Sequence, residues 1–138
     1  MLIIRGRAGL PSEQRSTNFT GSVWGDALSK PGQDPTVNNV IFAPRARTFW
    51  HKHQKGQLII PSNGRGLVVT ADGRAEVLSV GDIAWIEGGE IHWHGAASDS
   101  VLTHVASSFG TTDWLDEVTD KQYEDGLRVA GLNGATPK

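Results

Sequence analysis

From residue 39 to residue 108 the chain alternates between short apolar runs and clusters of turn-forming residues. The runs are "NVIFA" (39–43), "QLIIP" (57–61), "GLVVTA" (66–71), "AEVLSV" (75–80), "DIAWIE" (82–87), "IHWHGA" (91–96) and "VLTHVASS" (101–108). They are rich in β-branched and aromatic residues and bounded by turn residues, which is how strands read. Between two of them stands Asp72-Gly73, a pair that predicts a type I′ hairpin turn with positive φ at both positions. "PSNGRG" (61–66), "SVGD" (79–82) and "EGGE" (87–90) supply further corners. Strands spaced at about 8–12 residues predict a sandwich or barrel rather than βαβ units.

The flanks have a different pattern. Residues 1–38 are mostly polar and rich in turn formers around one apolar patch, "FTGSVWGDAL" (19–28). They read as an N-terminal arm with one or two edge strands. Residues 39–110 form the barrel core. In 111–130, Trp114, Leu115, Val118 and Tyr123 fall near helical spacing, and Thr119 with Gln122 fits a capping box. A short C-terminal helix is expected there, followed by a disordered tail over 131–138. The chain contains no internal repeat.

Composition narrows the function classes. At 138 residues the chain suits one domain, able to bury roughly two-thirds of its unfolded surface. With no cysteine, thiolate chemistry and a disulfide framework are excluded. The net charge is −2 and basic residues are scattered, so no nucleic-acid or membrane surface is indicated. "MLIIRGRAG" reads as a first strand rather than a signal peptide, and no apolar run approaches membrane-spanning length. The expectation is a cytoplasmic protein acting on a small molecule. An apolar arm on a small barrel further predicts a homodimer or homotetramer.

The five histidines are placed unevenly. His51, His53, His92, His94 and His104 all lie in or beside expected strands, and none lies in the arm or tail. On a strand, residues two apart share a face, so His51 points with His53, and His92 with His94. Two such pairs on one small barrel make a metal site more probable than surface polarity, although an anion pocket without metal fits the same residues. Trp93, between two inward histidines, is expected to face outward into a second layer or a subunit interface.

These residues resemble the cupin motifs. In the first, His51, His53, Gln57 and Gly64 take the places of His-x-His, glutamate and glycine, with Arg45 where the family has its leading glycine. In the second, Gly81, Gly89 and His92 match, Glu87 replaces proline, and Ala96 stands where asparagine is frequent. The resemblance implies an all-β fold, the cupin double-stranded β-helix or jelly-roll barrel. It also implies one divalent metal per chain held by His51, His53, Gln57 and His92, with His94 a near neighbour. "ARTFWHKHQKGQ", "GEIHWHGAA", "LTHVA" and "DWLDEVTDKQY" further resemble the small bacterial cupin hydroxynitrile lyases, over residues 38–124. Cupins found beside carboxymuconolactone decarboxylases overlap with that group. The closer resemblance implies a lyase in which His104, or failing that His94, is the base.

Three imidazoles and an amide are neutral ligands, so a bound ion keeps its full charge and favours Lewis-acid chemistry over oxygen activation. Nitrogen and carbonyl donors suit manganese or iron first, with zinc, nickel or cobalt also compatible. The expected cavity lining is Val40, Phe42, Trp50, Leu58, Ile60 and Leu102, with polar Asn38 and Ser108 on its wall. The rival expectations are a dioxygenase or isomerase acting on a small oxygenated substrate, and a non-catalytic binding cupin.

Overall fold

The computed structural model describes residues 1–5 and 10–132. The tail expected to be disordered therefore lies, from residue 133 onward, outside the described residues. In chain order the elements are β1 (Glu13–Gln14), β2 (Phe19–Thr20), β3 (Val23–Ala27), β4 (Thr36–Phe42), β5 (Arg47–Thr48), β6 (His51–His53) and β7 (Gln57–Thr70). They continue with β8 (Ala75–Ser79), β9 (Ala84–Ile86), β10 (His92–Ala96), β11 (Leu102–Ser108), β12 (Thr112–Trp114) and α1 (Asp120–Ala130).

Every described strand pairing is antiparallel, and the strands form the two halves of a jelly roll. One half runs β1-β3-β4-β11-β7, with β9 on the far side of β7. The other is built on β10, which pairs with β7 along one edge and with β5 and β6 along the other. There β2 extends β5, β12 extends β6, and β8 closes the side beyond β7. The long strand β7 serves both halves, its first part on β11 and its last part on β10.

This corrects two expectations. "QLIIP" and "GLVVTA" are one strand, not two, because Gly64 and Gly66 bend it without breaking its ladder. A Cβ on Gly64, which has φ +78°, would collide with the Val101 carbonyl; one on Gly66 would collide with that of Gly95. The loop Ala71–Arg74 is also not a type I′ turn. Only Gly73 takes positive φ (+95°), and the Asp72 carboxylate instead accepts from the Thr70 hydroxyl and the Arg74 N–H. A side-chain-closed loop of four residues replaces the two-residue turn.

At the C-terminus, Thr112–Trp114 is a strand rather than helix, since its backbone completes the edge of β6, with Trp114 opposite His51. The helix starts where the capping box places it. Thr119 accepts from the Gln122 N–H, and the Gln122 side chain accepts from the Thr119 N–H. Helix α1 lies on the outer face of β7 and β8 and covers Trp93 of β10. Trp93, Leu67 and Val69 are buried there against Tyr123 and Leu127, so the layer outside Trp93 is this helix. Gly126 admits the contact: a Cβ there would come 2.9 Å from the indole.

A buried arginine locks the layer. Arg47 donates to Asp120 at 2.8 Å and to the Val118 carbonyl at 3.0 Å, with its guanidinium over the Tyr123 ring. The Tyr123 hydroxyl donates to the Ala96 carbonyl at 2.6 Å, and burial pushes its pKa up to about 12. Between the sheets a separate apolar core gathers Val23, Phe42, Ile59, Leu78, Ile86 and Leu102. No helix among the described residues is long and apolar enough to cross a membrane.

Candidate metal centre and pocket

Alternation along the strands carries the histidines inward. His51 and His53 flank outward Lys52 on β6, and His92 and His94 flank Trp93 on β10. His92 stands directly opposite His51 in the ladder, which brings the two pairs together. His104 comes from β11 and Gln57 from the start of β7, where it is paired with Ser108. All five rings are buried.

What each ring nitrogen touches decides its role. The Nδ1 atoms of His51 and His92 lie 2.9 Å from the carbonyls of Phe49 and Glu90. A carbonyl only accepts, so Nδ1 carries the proton and Nε2 is left as a lone pair. His53 Nδ1 is held by the Thr112 hydroxyl at 2.9 Å, and its Nε2 is buried with no partner. One ligand atom from each of these three rings lies within 4.8 Å of the others.

Gln57 adds a fourth acceptor. Its Nε2 donates to the Ser108 hydroxyl at 3.1 Å, turning Oε1 to within 3.0 Å of His92 Nε2. Two acceptors at that distance repel unless a cation draws on both, so the donor set fits a divalent ion. Electrostatics agree. Burial lowers the pKa of His53 and His92 to about 4 and that of His51 well below the ordinary value, with neighbouring imidazoles adding to the depression at His51 and His92. Neutral imidazole is the ligating form.

The remaining two histidines form a pair of their own. His104 Nε2 and His94 Nδ1 are 3.0 Å apart, while His94 Nε2 and His104 Nδ1 are buried without partners. Burial lowers His104 to about 4 and His94 well below the ordinary value. Phe42 lies against both rings, and Thr48 accepts the His94 backbone N–H at 3.2 Å.

All of these groups except His92, which stands behind the lining, open on one cavity of about 140 Å³. Asn38, Val40, Phe42 and Ser108 line it, beside His51, His53, Gln57, His94 and His104. Four residues expected in the lining stand elsewhere. Trp50, Leu58 and Ile60 have the opposite strand parity to the inward His51, Gln57 and Ile59. Trp50 packs beside α1, Leu58 is half-buried, and Ile60 is exposed. Leu102 points inward but belongs to the dry apolar core. A larger cleft of about 480 Å³ beside β8 and β9 contains no histidine.

Lining residues that the sequence did not indicate are Arg15, Phe19 and Thr36 from the arm, Thr48, Ala106 from β11, and Thr112 and Trp114 from β12. No spacing rule marks the arm residues. The alternation Thr112–Trp114 was available as a strand signal.

Comparisons with known proteins agree with this geometry. Residues 38–106 match the cupin domain family, a span that holds all four expected ligands. The chain is 40% identical over 112 residues to an (R)-mandelonitrile lyase from Granulicella tundricola, covering 76% of this chain and 85% of that one. A cupin-like protein of solved structure from Thermotoga maritima superposes with a TM-score of 0.79 at 33% identity, covering 88% of this chain and 96% of that one. The polyketide cyclase RemF from Streptomyces resistomycificus shares the fold with a TM-score of 0.71 at 18% identity, over 94% of this chain and 99% of its own. With its motif residues gathered on facing strands of such a barrel, the chain belongs to the cupin family.

Proposed function

We propose that the protein is a metal-dependent lyase of the hydroxynitrile type, which cleaves or forms the C–C bond of a cyanohydrin. The observation that carries this reading is that a neutral four-acceptor cluster, through His51, His53 and Gln57, and a buried pair of imidazoles border the same small cavity. The 40% identity to a mandelonitrile lyase directs it to this reaction class. His51, His53, Gln57 and His92 would hold the ion, manganese or iron for this donor set. Bound there, a divalent ion supplies Lewis acidity toward a hydroxyl or carbonyl oxygen.

The protein's own groups do the proton work. A neutral pair of hydrogen-bonded imidazoles always presents one free lone pair and one free N–H. Either His104 Nδ1 or His94 Nε2 therefore accepts the substrate hydroxyl proton, and the other end donates. The C–C bond breaks, its electrons leave with cyanide, and the donated proton converts that to hydrogen cyanide while an aldehyde or ketone remains. Phe42 and Val40 put apolar surface beside the pair, and burial keeps both imidazoles in the neutral form that can accept a proton.

The experiment is cyanide release from mandelonitrile and a panel of other cyanohydrins by metal-loaded protein. Release that disappears on chelation supports the reading. No release from any member of the panel refutes it, and oxygen uptake with a substrate would favour the dioxygenase alternative.

A further inference from the structure

One charged side chain in the cavity has no role in the chemistry above. Arg15, just after β1, folds its guanidinium back across the inner face of β3 and into the pocket lining. The missing side chain of a glycine leaves room for it there. A Cβ on Gly25, in the middle of β3, would lie 2.7 Å from the guanidinium carbon and 2.8 Å from two of its nitrogens. Gly25 stands opposite Val40, which is opposite His104, so the seat is on the same inward row as the imidazole pair.

Arg15 is poorly satisfied for a half-buried arginine. It donates to Asn38 Oδ1 at 3.3 Å and makes no ion pair among the described residues. No aspartate or glutamate lines the cavity. The histidines there are neutral, and a resident divalent ion would bring charge that Gln57 does not offset. Everything charged in the pocket is therefore positive, and a guanidinium fork with free N–H groups is suited to a planar carboxylate.

We infer that the natural substrate carries a carboxylate, held by Arg15 and Asn38 while its hydroxyl or carbonyl carbon faces the histidines. The volume of about 140 Å³ limits it to a small acid, since pockets for drug-sized ligands run to roughly 300–1,000 Å³. On the lyase reading, on which only the reaction half of this inference rests, the substrate is the cyanohydrin of a small 2-oxo acid. Its cleavage gives the 2-oxo acid and hydrogen cyanide, with atoms and charge in balance. The binding half stands on Arg15 alone.

The test has a binding arm and a turnover arm. Calorimetry on metal-loaded and metal-free protein compares pyruvate with its neutral methyl ester. Pyruvate should bind about tenfold more tightly, the preference should weaken with salt, and Arg15→Met should reduce it below about threefold, with Arg15→Lys between. Circular dichroism checks that the variants fold, and the salt dependence of the unaltered protein carries the test if they do not. Equal binding of acid and ester overturns the inference. So does a preference that survives Arg15→Met, which would place the anion on the metal alone, or inorganic phosphate binding more tightly than pyruvate. In the turnover arm, cyanide release should be faster from pyruvate cyanohydrin than from acetone cyanohydrin. Release from neither, with Arg15-dependent pyruvate binding intact, refutes the lyase reading and leaves the carboxylate site standing. Faster release from acetone cyanohydrin overturns the substrate class.

Discussion

The two groups of histidines use the same residue on the same kind of strand, at the same depth, for opposite purposes. In the trio His51, His53 and His92, each Nδ1 is tied to an oxygen outside the cluster. The carbonyls fix Nε2 of His51 and His92 as lone pairs, and the Thr112 hydroxyl, which accepts as well as donates, allows the same at His53. In the pair His94 and His104, the rings spend one nitrogen on each other. Their remaining nitrogens keep a donor and an acceptor that exchange identity when the shared proton moves. Burial neutralises all five rings. The partner of the second nitrogen then decides whether a ring gathers a cation or passes a proton.

The harshest way to break the contrast is to remove one of the trio. His53→Ala leaves three acceptors, and both metal content by elemental analysis and cyanide release should fall to background. Activity that persists without bound metal would end the metal reading. Removing one of the pair should separate the two properties. His104→Ala should retain metal while lowering the rate by about 10²–10⁴, the usual contribution of a general base. An unchanged rate removes His104 from the mechanism. A milder change works through the tie to the second nitrogen. Thr112→Val keeps every ligand but frees His53 Nδ1, and metal affinity should drop by about 10–100-fold, as outer partners of ligands commonly show. The rate per bound metal should stay close to that of the unaltered protein, and a titration with chelator buffers separates the two.

How much of this was legible beforehand follows from which forces act locally. Strand alternation placed His51 with His53 and His92 with His94, because side-chain direction depends only on parity. The same parity, applied to Gln57, would have put Leu58 and Ile60 outside, as they are. The capping box at Thr119 was readable because its hydrogen bonds span three residues. The continuity of β7 was not, since it depends on Val101 and Gly95 approaching Gly64 and Gly66 from distant segments. The bond between His94 and His104 was equally hidden. It needs two strands that are not hydrogen-bonded neighbours to face each other across the barrel. Arg15 was invisible for the same reason: only the folded arm brings it to Gly25.

The smallest effect expected concerns the cost of keeping the imidazoles neutral. In the folded protein burial holds His53, His92 and His104 at about 4, against an ordinary value of 6.5, and His51 and His94 well below it. Between those values the unfolded chain takes up protons that the folded chain refuses. The stability that these histidines contribute to the metal-free protein is therefore fully present above pH 6.5 and is lost as pH falls from 6.5 toward 4. Each such histidine adds at most about 1.4 kcal/mol per pH unit to the slope. His104→Gln removes one titrating ring, and its amide can still bond His94 Nδ1. Urea unfolding at several pH values should then show the slope shallower by up to that amount, while the plateau above pH 6.5 stays flat. An identical slope would mean that His104 titrates in the folded protein as it does in the unfolded chain, and that burial does not hold the pair neutral over this range.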